Sequence, residues 1–134
     1  MSDGDGVETI KAVYEAFGRG DVGFILDRVT DDVDWATDTV SKAAPWYGPH
    51  HGKDGVAKFF EAFGSTMTVQ QFEPVSFTGG VNEVHAVVKL RSTRVATGGT
   101  AEMNLHHWFQ LRDGKISFYR GTEDTAQVEE LFRG

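Results

Sequence analysis

His107 is the side chain in this sequence best placed to do chemistry. It sits in the run Met103-Asn104-Leu105-His106-His107-Trp108-Phe109-Gln110-Leu111, where Met103, Leu105, Phe109 and Leu111 fall on one face of an extended strand. His107 shares that apolar face. An imidazole titrates near neutrality, so it can act as general acid or base. Burying it unpaired is costly, so it needs either a ligand or a bonded neighbour. The alternative to a chemical role is a core histidine satisfied by a nearby hydroxyl. His106 points the other way with Asn104, Trp108 and Gln110, a face whose exposed tryptophan suits an interface. His50 and His51 raise the question of a metal, but no carboxylate–histidine spacing of a metal motif is present, and a solvated pair in a loop is expected. The absence of cysteine excludes disulfides, thiolate catalysis and cysteine-bound zinc.

His107 needs a strand to hold it, and the local signals supply one. Asp113-Gly114 suits the two φ > 0 positions of a tight hairpin, and Thr97-Gly98-Gly99 marks another reversal. Strands are expected at about 69–77, 83–95, 100–111 and 115–122, with a turn also at Gly79-Gly80.

The N-terminal half is read as helical. Val7, Ile10, Tyr14 and Phe17 recur at helical spacing, and Gly18 and Gly20 stop that helix. Asp21 can cap a second helix carrying Val22, Ile25, Leu26 and Val29, broken by Asp31-Asp32. Val33, Trp35 and Thr37 alternate as a short strand. Residues 39–52 have no period and hold two prolines and two glycines, which makes a long loop. Trp46 and Tyr47 are large groups to leave in water, so they are expected to fold over a cavity mouth. Asp54 begins a third helix with the stripe Val56, Phe59, Phe60 and Phe63, closed by Gly64. Such a stripe is core or pocket lining. Asp124 or Thr125 can cap a short last helix. Helices followed by an antiparallel meander give an α+β domain, helices on one face of a curved sheet.

The 134 residues form one domain, 40% hydrophobic and 25% charged, as in an ordinary globular protein. A net charge of −7 argues against binding nucleic acid or an anionic membrane. No apolar run approaches the ~20 residues of a membrane span. The acidic start MSDGDGVE carries no secretory signal, which makes a cytoplasmic location the expectation.

Three blocks, VYEAFGRGDVGFILDRVTDDVDW (13–35), PWYGPHHGKDGVAKFF (45–60) and WFQLRDGKISFYRGTEDTA (108–126), resemble the NTF2-like superfamily in its SnoaL-like, ketosteroid-isomerase-related branch. The resemblance spans nearly the whole chain. It implies a cone-shaped fold, a curved antiparallel sheet packed on three N-terminal helices with a deep apolar pocket between, and a homodimer. Members include isomerases, polyketide cyclases, epoxide hydrolases, dehydratases and proteins without catalysis, so fold alone does not name the chemistry.

Position by position, the resemblance puts His107 where ketosteroid isomerases carry a hydrogen-bond donor and SnoaL-type cyclases a histidine. The aspartate that pairs with that histidine falls on Gly121 here, and the acid is absent. Glu123, two residues on, shares the face of Gly121 and could stand in for it. The isomerase base aligns with Thr37, with Asp38 one step later; Asp38 reaches the pocket only if the strand has ended. The isomerase tyrosine falls on Val13 or Tyr14. The epoxide hydrolase pair falls on Val88 and Leu90, and its tyrosine and asparagine on Trp35 and Thr37, so that chemistry is not expected.

The resulting expectation is a small hydrophobic, oxygen-bearing ligand and cofactor-independent proton transfer of isomerase, cyclase or dehydratase type. His107, Tyr14 and Asp38 would be catalytic. Trp35, Thr37, Trp46, Phe60, Leu90, Met103 and Glu123 would line the pocket. The alternative is a non-catalytic ligand-binding or dimerisation module.

Overall fold

The computed structural model describes residues 3–133, with side chains from residue 6 onward. Met1, Ser2 and Gly134 lie outside the described residues, and so does the start of the acidic N-terminal stretch. Helix α1 (Asp3–Gly18) and the short α2 (Val22–Leu26) come first, then strand β1 (Val29–Thr37). A three-residue strand β2 (Pro49–His51) leads into α3 (Gly52–Thr66). Strands β3 (Met67–Gly80), β4 (Glu83–Arg94), β5 (Thr100–Arg112) and β6 (Lys115–Thr122) follow, and α4 (Thr125–Leu131) ends the chain.

All six strands form one sheet in the order β2-β1-β6-β5-β4-β3. Strands β3 to β6 are the expected antiparallel meander. The sheet as a whole is mixed, because β1 pairs parallel to β6. Register shifts between Val69 and Gln71, Pro74 and Ser76, and Gln110 and Leu111 bend it. Helices α1 and α3 pack on one face. The core there joins Ile10, Val13 and Ile25 to Val84, Val88, Phe109 and Ile116. Strand β5 alternates buried and exposed side chains almost throughout, so period 2 decides its inner face. No described helix is long and apolar enough to cross a membrane.

Local signals hold at most boundaries. Gly20 adopts φ +74° after α1, and the Asp21 carboxylate accepts the Phe24 N–H at 3.0 Å to cap α2. Asp113 (φ 53°) and Gly114 (φ 79°) form the two-residue turn between β5 and β6. Asp124 caps α4, accepting from the Gln127 N–H.

Four boundaries differ from the sequence reading. Helix α2 stops at Leu26, and Val29 is already paired to Ile116, so tertiary pairing overrides the helical stripe. Helix α3 runs past Gly64 to Thr66; an exposed glycine weakens a helix without ending it. The β3–β4 turn is Val81-Asn82, with Gly79-Gly80 still in the strand. Part of the long loop becomes strand β2, whose residues pair with Asp34, Trp35 and Ala36. That pairing is long-range and leaves no local period.

Gly114 needs its positive φ. Gly114→Ala should lower unfolding free energy by about 1 kcal/mol, seen as a lower urea midpoint at unchanged slope.

Candidate functional site

Between the helices and the inner face of the sheet lies a cavity of about 70 Å³. Its walls are mainly aromatic. Phe59, Phe60 and Phe63 of α3 contribute one side, so the α3 stripe lines the pocket as well as packing. Phe17, Phe72, Phe109 and Trp35 contribute much of the rest, with Leu90 and Leu105 from the sheet. Trp46 closes one end. It is 2% exposed and lies edge-on to Phe63, Phe132 and Tyr47, whereas Tyr47, expected to cover the mouth with it, forms no part of the wall.

Polar atoms are few and grouped. The Tyr14 hydroxyl lies 2.7 Å from His107 Nδ1. Both residues are buried, and the pair joins α1 to β5. Tyr14 itself sits among Phe72, Phe77 and Phe109. No other partner is available to the Tyr14 proton among the described residues, so the phenol donates to Nδ1. The neutral ring then carries its own proton on Nε2. The ring's hydrogen bond to a described residue is the one through Nδ1, and His107 borders the cavity.

Burial, and secondarily the nearby His106, lower the His107 pKa to about 3. Burial raises that of Tyr14 well above a free phenol. The pair is therefore a neutral hydrogen-bond relay.

Gly121 stands directly across from His107 in the β5–β6 register, so the position expected to bear an acid has no side chain. No described carboxylate bonds His107. The carboxyl that shares the cavity wall with it among the described residues is Glu123, which accepts the Trp46 indole N–H at 3.3 Å. The Tyr47 hydroxyl faces the same carboxyl without closing a well-formed hydrogen bond. Burial raises the Glu123 pKa, and the neighbouring Tyr47 and Trp46 donors only partly offset this.

Six of the expected residues therefore border the cavity beside His107: Tyr14, Trp35, Trp46, Phe60, Leu90 and Glu123. Three do not. Asp38 is exposed, and its backbone N–H still bonds Gly121 O at 2.7 Å, so the pleat carries it outward. Thr37 is buried in the sheet but forms no part of the wall. Met103 fills the gap between two hydrophobic clusters instead.

His50 is a tie within its loop, its Nε2–H donating to the Trp46 carbonyl at 2.9 Å, while His51 stays exposed. Among the described residues no group of three or more histidines and acids could hold a metal.

Tyr119 was not foreseen. It lines the cavity and stacks on Trp35 with ring centroids 4.1 Å apart. Period 2 along β6 puts it on the face of Gly121, so the signal was present.

The open mixed sheet packed on helices with an apolar cavity between them is the NTF2-like fold. Residues 10–119 match the SnoaL-like domain, and the chain belongs to that family. No curated protein matches the sequence.

Among solved structures, an NTF2-like protein of unknown function from Burkholderia pseudomallei is 24% identical over 100% of both chains, TM-score 0.88. TerC co-crystallised with polyporic acid is 24% identical over 97% of this chain and 99% of its own, TM-score 0.83. A candidate SnoaL-like polyketide cyclase from Mesorhizobium loti is 19% identical over 86% and 96%, TM-score 0.71. At these identities the likeness is one of fold.

The low His107 pKa has a sign. An unfolded histidine near 6.5 binds a proton that the folded ring refuses until about pH 3. The folded state is therefore favoured fully above pH 6.5 and loses that advantage as pH falls through this window. The stability difference between wild type and His107→Leu, from urea titrations, should shrink as pH is lowered from 7 toward about 4. The His107 ring signal in nuclear magnetic resonance should stay that of a neutral imidazole over the same range.

Proposed function

We propose that this protein binds a small hydrophobic molecule bearing a carbonyl oxygen, with His107 Nε2–H donating to that oxygen. The observation that carries the reading is the Tyr14–His107 bond, which fixes the tautomer and leaves a donor on the cavity wall. Cavity size limits the ligand. About 70 Å³ is half the ~150 Å³ that admits a benzene, so one ring enters only if the half-buried phenylalanines give way. A four-ring steroid would need the walls rebuilt.

The chemistry that fits is cofactor-independent proton transfer beside the carbonyl, of isomerase, cyclase or dehydratase type. A carbon acid needs a donor at the developing enolate oxygen and a base at the departing proton. His107 is the donor. Glu123 is the base, since a carboxyl with a raised pKa holds a proton better than a free one. Tyr14 is a positioning residue, its hydroxyl being taken up by His107. The bare Gly121 opposite His107 favours a second reading, a ligand-binding module without turnover.

Binding is tested with acetophenone and ethylbenzene, which differ by the carbonyl. His107→Leu should weaken acetophenone about tenfold, one hydrogen bond's worth, and leave ethylbenzene unchanged. His107→Gln should restore part of the loss. Equal binding of acetophenone by wild type and His107→Leu would remove His107 from the reading. With a turned-over substrate in hand, Glu123→Gln should cost about 10²–10⁴ in rate; binding without any turnover selects the module.

We further propose a second copy of this chain as the occupant of the outer sheet face. Trp108 is exposed there beside Phe118 and stacked against His85. Trp108→Glu should convert a dimer to monomer in sedimentation velocity, and a wild type monomeric at the same concentration would discard the idea.

A further inference from the structure

Gly121 does more than omit an acid. A Cβ built on it would lie 2.2 Å from the Tyr119 hydroxyl and 2.9 Å from its Cζ, well inside contact distance. The ring cannot readily step aside. Trp35 stacks on one face at 4.1 Å, and Phe109 and His107 crowd it with centroids at 5.1 and 5.2 Å. The glycine is therefore what lets the phenol lie along β6 toward the strand position facing His107.

Tyr119 is buried and lines the cavity, and its hydroxyl has no hydrogen-bond partner among the described residues. A buried phenol left unpaired costs stability, so this one is free for a partner in the cavity. His107 Nε2–H is in the same condition beside it. Two residues with a neutral donor each thus line one small space, and no lysine or arginine among the described residues lines it.

Resting on the pocket reading above, we propose that Tyr119 and His107 together seat a single ligand oxygen. The ligand class is then an enolisable ketone or a weakly acidic phenol. An sp² or phenolic oxygen has two lone pairs and can take both donors at once. Each bond strengthens as negative charge grows on the oxygen. Carboxylates and phosphates are disfavoured: they arrive fully charged, find no cation, and face Glu123. Gly121 is a specificity residue in this arrangement, since any side chain there competes with the Tyr119 hydroxyl for the same space and disturbs its seat.

The test uses 4-chlorophenol and chlorobenzene, one ring each and one oxygen between them, titrated calorimetrically. Wild type should prefer the phenol. Tyr119→Phe should weaken 4-chlorophenol about tenfold and chlorobenzene less than about twofold. His107→Gln and Gly121→Ala should also narrow the preference, each by a smaller factor. Because the probe has one oxygen, losses from both Tyr119→Phe and His107→Gln place both donors on it. A Tyr119→Phe protein that keeps the wild-type preference overturns the seat. Wild type binding both probes equally also overturns the seat but leaves the pocket standing, whereas wild type binding neither removes both.

Discussion

One hydrogen bond, from the Tyr14 hydroxyl to His107 Nδ1, ties the helical layer to the middle of the sheet. The two residues are 93 positions apart in sequence and meet only when α1 lies across β5. Each would be costly alone in an aromatic interior, and each satisfies the other. The bond also decides chemistry. It consumes the acceptor nitrogen of the ring and leaves the other as a donor, while burial keeps the ring neutral. A histidine of ordinary pKa at this point would be a switch; here it is a fixed dipole.

The cavity around that dipole persists because its walls are large, flat and few. Phenylalanines from α1, α3 and β3 meet at angles rather than stacking face to face, and rings arranged so leave space that aliphatic chains would fill. The second hydrophobic cluster closes the far end. Trp46, Met67 and Val128 pack there with Phe132, and the Trp46 indole reaches Glu123 across it. The same contact that shuts the end thus holds the half-buried Glu123, the one carboxyl of the cavity wall among the described residues. Closure and electrostatics are coupled through one tryptophan.

The substitution pattern around β6 has a physical unity. Tyr119, Gly121 and Glu123 occupy successive inward positions, and their side chains are not independent. The phenol takes the volume above the glycine, and the carboxyl sits one step farther out against Trp46. A polar function facing His107 is therefore supplied by a long side chain leaning from a neighbouring position. Family membership gives the scaffold, and the packing of these three residues gives this chain the polar groups of its cavity wall.

The meander was legible residue by residue. The alternation on β5 marked its inner face, Asp113-Gly114 marked its turn, and one imidazole in an apolar row marked a residue of the cavity wall. These are local properties: side-chain direction repeats every two residues, and a tight turn needs particular φ angles whatever surrounds it. The sequence by itself therefore determined the strands of the meander, the Asp113-Gly114 turn, the α+β class and the inward placement of His107 on β5. Tertiary structure alone decided that β1 runs parallel beside β6, that Val29 is strand, and that Pro49–His51 becomes an edge. It alone chose Tyr14 as the partner of His107, turned Asp38 outward, and laid Tyr119 over Gly121. Each of these depends on which distant segment arrives alongside, and on volume and register that no local pattern encodes.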